Sequence, residues 1–206
     1  LLSAVEVIGR IPDAYFQAVG SGTGAIAAWE NAARLAADGR FGENKMRIYA
    51  SQNAPFTIMY DSWKAHSREL VPMTPEEGRQ NAEVILGKVL SNRKPPYSLA
   101  GGLFDVLEKS GGDMFKVSND EIVSWVVKYF SLEGYDLFPA SACAVSSLKQ
   151  ALDAGIVKHD ETVMLNVTGG GMLGATRKGF ILKEPDLILS PDLPAEEIIA
   201  AVDKLF

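Results

Sequence analysis

The chain has 206 residues, of which 47% are hydrophobic and 22% charged, and its formal net charge is −6. That balance fits one globular domain or a tight pair and excludes extended disorder and coiled coil; the acidic surplus argues against broad nucleic-acid binding, which needs a basic face. No run of about 18 apolar residues suggests a membrane-crossing helix, and the lone cysteine, Cys143, rules out an internal disulfide framework and fits a reducing cytoplasm.

Leu1–Arg10 lacks the basic head and small-residue cleavage site of a secretion signal. The opening residues read as the middle of a helix, so a piece of a longer protein is expected. Ala14–Val19 reads as a strand ending at Gly20, and a helix follows from about Gly24 to Asp38, stopped by Gly39. Met46–Ser51 reads as a second strand, and Pro55–Leu70 as a helix. Thr74-Pro75-Glu76-Glu77 is a capping box with proline in the first turn, and it opens a helix expected to carry Val84, Ile85 and Val89. Ser91–Pro96 reads as a loop. A helix over about Ser98–Lys109 ends at Gly111-Gly112, and Asp113–Val117 is a third strand.

Ser118-Asn119-Asp120-Glu121 is a second capping box, opening a helix with Ile122, Trp125, Val126 and Phe130. Tyr135–Phe138 reads as a brief strand, Ser141–Ala154 as a helix of small residues, and Thr162–Val167 as a buried strand. Ile181 and Leu187–Leu189 suggest edge pieces, and Pro194–Phe206 a terminal amphipathic helix. Strands separated by helices of this length imply βαβ units and a parallel sheet, an α/β fold.

Two loops could carry chemistry. Gly20-Ser21-Gly22-Thr23-Gly24 joins a strand directly to a helix. Glycines let backbone N–H groups face outward, the helix start adds a positive partial charge, and two hydroxyls add donors: a phosphate cradle. The alternative is an ordinary tight turn. A Walker A loop is excluded because no lysine follows Gly24. A dinucleotide fingerprint needs wider glycine spacing, and Glu43 sits before the second strand instead of at its end. A monophosphate therefore fits better than a nucleotide. The second loop, Thr168-Gly169-Gly170-Gly171, ends the strand around Val163–Val167 and would share the same rim, or be a plain glycine turn.

At these loops the sequence resembles the pyridoxal-phosphate enzymes of the threonine synthase and tryptophan synthase β type, and the resemblance covers nearly the whole chain. Gly20-Ser21-Gly22-Thr23-Gly24 resembles that family's phosphate loop, and Thr168-Gly169 its late Thr-Gly element, whose hydroxyl faces the pyridine nitrogen. Val117–Glu121, Glu133-Gly134 and Pro139–Ala142 resemble its C-terminal third. Tyr15–Trp29 and Gln52-Asn53 are most similar to the cysteate-forming members.

The resemblance implies the fold-type-II architecture, pyridoxal phosphate as cofactor, and residues 1–206 as the C-terminal part of the large domain. The Schiff-base lysine and most of the small domain would lie outside the chain. It also implies that O-phospho-L-serine and sulfite are the substrates, in coenzyme M biosynthesis, with a cytoplasmic homodimer as the working form. Threonine synthase, acting on O-phosphohomoserine and water, and a non-catalytic phosphate-binding module are the alternatives. Gln52 and Asn53 would contact substrate or cap the next helix.

The remaining polar and aromatic residues read as structural. Cys143 reads as buried packing. His66 with Glu69 are too few for a metal site, and His159 reads as exposed. Trp29, Trp63 and Trp125 read as core. Lys45, Lys116 and Lys183 read as solvated surface.

Overall fold

Among the described residues, four strands form one sheet: β1 (Ala14–Ala18), β2 (Arg47–Asn53), β3 (Asp113–Val117) and β4 (Val163–Leu165). In the computed structural model all neighbours pair in parallel, in the order β3-β2-β1-β4. Residues 1–171, 176–181 and 183–206 are described. They fall into two units, 1–174 and 175–206, a division that no linker signal marks in the sequence.

The first unit carries α1 (Leu2–Ile8), α2 (Thr23–Asp38), α3 (Ile58–Lys64), α4 (Pro75–Val84), α5 (Leu103–Ser110), α6 (Asn119–Glu133) and α7 (Pro139–Asp153). Because side chains alternate along a strand, each strand feeds two cores. Tyr15, Ile48, Ala50 and Met114 pack on one face with Ala25, Ala28, Leu103 and Leu107 of α2 and α5. Phe16, Tyr49 and Phe115 form an aromatic row on the other face beside Ala151 of α7, with Phe16 and Tyr49 stacked at 4.7 Å. Every residue of α7 from Ala140 to Ser147 is buried, and their small size lets the helix lie close to the strands.

The strand order fixes where a ligand fits. β1 to β2 and β2 to β3 advance in one direction, with α2 and α5 on one face. The chain then returns through α6 and α7, on the opposite face, to place β4 beside β1. Crossovers of constant hand leave a crevice where the direction reverses, between β1 and β4 at their carboxyl ends.

Both predicted capping boxes are present: Thr74 Oγ1 accepts from Glu77 N, Ser118 Oγ accepts from Glu121 N, and each glutamate accepts from the cap's own N–H. Several expectations are corrected. The Pro55–Leu70 helix is only Ile58–Lys64, because His66 takes a left-handed φ of 51° and turns the chain. The Val84, Ile85, Val89 stripe breaks, since α4 ends at Val84 and Ile85 is extended and buried while Val84 and Val89 are exposed.

The Ser98–Lys109 helix begins only at Leu103, after a left-handed Gly101. The strand at Thr162–Val167 shortens to Val163–Leu165 and is half-buried instead of buried, because among the described residues it pairs with β1 alone. Tyr135–Phe138 contributes a single antiparallel bridge, Leu137 to Gly170. Trp29, Trp63 and Trp125 are partly buried against the cores.

In the second unit, α8 (Ala195–Val202) is followed by a 3-10 turn, Asp203–Leu205. Ile181 and Leu187–Leu189 form no strand, and Ile181 is exposed.

Candidate active site

Gly20–Gly24 leaves the carboxyl end of β1 and turns at once into α2. Gly22 caps the helix with φ 82°, a left-handed conformation that side chains resist. Gly20 has no room for a Cβ, which would stand 2.6 Å from the Val89 carbonyl oxygen. A Cβ on Gly24 would stand 2.6 Å from Gln17 Nε2. The Ser21 and Thr23 hydroxyls are 2.9 Å apart, and Thr23 N donates to Ser21 Oγ at 3.4 Å. α2 has no acidic residue in its first turn, unlike α4 and α6, whose glutamates close their caps. The first N–H groups of a helix have no partner one turn back, so this one presents donors and a positive partial charge to an anion.

Thr168 follows β4 on the adjacent strand's limb, exposed at the same rim. Its hydroxyl lies 3.5 Å from Ser141 Oγ at the start of α7. Ser141 Oγ in turn donates to Gly169 O at 2.9 Å and accepts from Gly169 N at 3.0 Å, clamping the Thr-Gly turn. The fold thus brings both predicted loops to the two sides of the crevice.

Gln52 and Asn53, at the end of β2, are completely buried. Gln52 Oε1 accepts from Met59 N and Tyr60 N at 2.9 and 3.0 Å, capping α3, and its Nε2 is a buried donor without a partner among the described residues. Asn53 Nδ2 donates to Val117 O and Asn119 Oδ1, and its Oδ1 accepts from Gly87 N at 2.9 Å. The helix-capping alternative is therefore realised for Gln52, and Asn53 ties β2 to the segment that follows α4.

Three residues escaped the sequence reading. Asn166 Nδ2 donates to the Tyr15 hydroxyl, which donates to Gln17 Oε1, both at 2.7 Å. Burial pushes the Tyr15 phenol up, and the Asn166 hydrogen bond only partly opposes it. The available signal was a polar residue inside each of two apolar strands, Gln17 in Tyr15–Val19 and Asn166 in Val163–Val167.

Cys143 is buried, its thiol 3.6 Å from Ser51 Oγ, and burial pushes it up to about 12. Lys45 is exposed at the amino end of β2, Lys116 lies over the Tyr60 ring, and Lys183 sits 3.5 Å from Asp186. Among the described residues no group of three or more metal-ligating side chains gathers, and no helix is long and apolar enough to cross a membrane.

A glycine loop running into a helix start without a side-chain cap stands beside a Thr-Gly turn at a switch point of a parallel sheet. Residues 2–169 match the profile of the pyridoxal-phosphate dependent enzyme family, and the chain belongs to that family.

Cysteate synthase of Methanosarcina acetivorans is 42% identical over 201 residues, covering 96% of this chain and 48% of that protein. Cysteate synthase of Methanoculleus marisnigri is 47% identical over 172 residues, covering 83% of this chain and 40% of that protein. The chain spans about half the length of the curated relatives it matches. Among solved structures, the processed threonine deaminase isoform 2 of Solanum lycopersicum aligns with a TM-score of 0.60 at 14% identity, covering 87% of this chain and 46% of that one. Serine racemase of Dictyostelium discoideum aligns at 0.58 and 15% identity, covering 82% and 47%. At such identities these two speak for the fold alone.

Proposed function

We propose that the chain contributes the phosphate-binding half of a β-replacement enzyme that converts O-phospho-L-serine and sulfite to L-cysteate and phosphate. The observation that carries this reading is the 42% identity to a cysteate synthase across 96% of the chain. The geometry supports it: the crevice between β1 and β4 offers donors for a phosphate monoester on one side and a neutral hydroxyl on the other.

Pyridoxal phosphate fits these residues. Ser21, Thr23 and the first N–H groups of α2 would hold its phosphate, in a loop whose glycines leave no room for a Cβ. Thr168, steadied by Ser141, would present its hydroxyl to the ring nitrogen. Bound there, the ring supplies the electron sink that makes the substrate's Cα proton acidic. A hydroxyl at the nitrogen does not hold it protonated as a carboxylate would. That suits a reaction in which the departing phosphate carries away the electron pair.

We assign the covalent attachment of the cofactor to none of Lys45, Lys116 and Lys183, which stand away from the crevice or against other partners. We place the enzyme in the cytoplasm, where the buried Cys143 thiol stays reduced.

The test uses the natural gene product carrying this chain, loaded with pyridoxal phosphate. Phosphate release is followed from O-phospho-L-serine with and without sulfite, and from O-phosphohomoserine, with the amino-acid product identified by mass. Sulfite-dependent release with cysteate formed is expected. Release from O-phosphohomoserine alone would make it a threonine synthase, and release from neither would overturn the β-replacement reading.

A further inference from the structure

A cavity of about 700 Å³ has a wall that includes Arg79, Ser91, Asn92, Arg93 and Lys94. In a chain of net charge −6, three cations gather there and no carboxylate lines the wall. Arg79 is paired with Glu76 at 2.7 Å. Arg93 and Lys94 form no ion pair among the described residues. The Glu77 carboxylate, the other acid nearby in sequence, is turned away into the Thr74 cap.

The wall is built, not incidental. The Arg93 stem crosses α4 at Gly78, where a Cβ would stand 2.5 Å from its Cδ, so a larger residue would push the guanidinium off the helix. Asn92 Oδ1 accepts from Lys94 N at 3.0 Å and Ser91 Oγ donates to Lys88 O at 2.7 Å, fixing the turn that carries both cations.

The same segment is anchored to the phosphate loop. Val89 O and Leu90 Cα are the atoms nearest the Gly20 position, and Gly87 N donates to Asn53 at 2.9 Å. Arg93 is three residues beyond Leu90, at most about 10 Å of chain. The pocket therefore opens within reach of the crevice but apart from the loop itself.

The Arg93 guanidinium and the Lys94 ammonium, which face no acid on the wall, together with the Asn92 amide are donors that recognise a small oxyanion of high charge. We infer that Arg93 and Lys94, with Arg79 and Asn92, form one oxyanion pocket used twice in a turnover, first by the leaving phosphate and then by sulfite. The inference rests on the β-replacement reading. In the replacement the Cβ–O bond breaks with its electron pair departing on phosphate. The sulfur lone pair of sulfite then forms the Cβ–S bond. The Cα proton is removed and returned, and the proton of hydrogensulfite ends on phosphate. No outside oxidant or reductant is needed. A single pocket suits both anions because they match in charge and nearly in size, and because the second can enter only after the first has left.

The test uses the natural gene product as holoenzyme, so that the Gly20–Gly24 loop is already filled. Binding of inorganic phosphate is measured by calorimetry, with sulfite as competitor, in the unaltered protein, in Arg93→Gln/Lys94→Gln, and in Lys149→Ala as an exposed control. The glutamines keep the stems packed, and Arg93→Lys tests rescue. Expected are mutual exclusion of the two anions and a loss of about tenfold or more in phosphate affinity in the double variant. Partial recovery in Arg93→Lys and no change in the control are also expected. In turnover, KM for O-phospho-L-serine and for sulfite should rise by similar factors in the double variant. Unchanged phosphate affinity, binding of both anions at once, or a rise in only one KM would overturn the shared pocket. An unaltered protein that binds both anions competitively but forms no cysteate would instead overturn the β-replacement reading and leave an oxyanion receptor.

Discussion

Tyr15 and Asn166, 151 residues apart in sequence, are joined by a 2.7 Å hydrogen bond across the β1–β4 pair. The bond ties the Thr168 limb to the strand that feeds the Gly20–Gly24 loop. The phenol passes the connection on to Gln17, whose amide lies under Gly24. The two sides of the crevice are thus held in register by one side-chain chain, not by backbone pairing alone.

Removing the hydroxyl tests that connection. Tyr15→Phe keeps the ring in its core but strands the Asn166 amide, which should cost about 1–3 kcal/mol. At about 2–4 °C per kcal/mol for a chain of this size, the thermal midpoint should fall by several degrees. Pyridoxal phosphate should also bind more weakly, as the loop and the Thr168 turn lose their common support. A midpoint and cofactor affinity equal to the unaltered protein's would count against the coupling.

The cradle and the ring partner should separate by kinetics. Ser21→Ala/Thr23→Ala should weaken cofactor binding, measured by absorbance titration of the cofactor-free natural gene product, by about tenfold or more. Thr168→Ala should lower turnover more than it lowers cofactor affinity. Equal losses in both quantities for Thr168→Ala would remove its ring-nitrogen role.

Asn53 offers a test of stability against recognition. Asn53→Ala empties a buried site whose four partners include Gly87 N and Val117 O, and each group left unpaired costs about 1–3 kcal/mol. The expected outcome is a clearly lowered thermal midpoint. A changed KM with an unchanged midpoint would restore Asn53 as a substrate contact.

Alkaline pH should destabilise the fold. Burial pushes the Cys143 thiol from 9.0 up to about 12, and burial also raises the Tyr15, Tyr49 and Tyr97 phenols. Each binds its proton more tightly folded than unfolded, so the stabilisation is complete below about pH 9 and is lost as pH climbs toward 12. Thermal midpoints measured from pH 8 to 11 should fall, and Cys143→Ala should make the fall shallower. A midpoint independent of pH over that range would contradict the burial of these groups.

Features fixed by neighbouring residues were legible in the sequence. The strand–glycine–helix run at Ala14–Asp38 and the boxes at Thr74 and Ser118 depend on contacts within four residues, and they stand where periodicity and capping chemistry put them. Elements whose ends depend on distant partners were misjudged. The apolar residues of β4 point to a buried strand, yet among the described residues it has a neighbour on one side only. The sequence after Pro55 points to too long a helix because the left-handed His66 leaves no local signature. For the site, both loops could be read, but the Tyr15 relay and the cationic pocket required segments to be brought together by the fold.

The late position of β4 also has a consequence for biosynthesis. β1, β2 and β3 and the whole Gly20–Gly24 loop are made before residue 118, whereas the strand that flanks β1 on its other side begins at Val163. Until then β1 is an open sheet edge on a growing chain, with Phe16 and Tyr15 ready to pair with a stranger. A ribosome that stalls in α7 would release a polypeptide with a complete Gly20–Gly24 loop and an unsealed edge, the kind of product that chaperones hold and proteases remove.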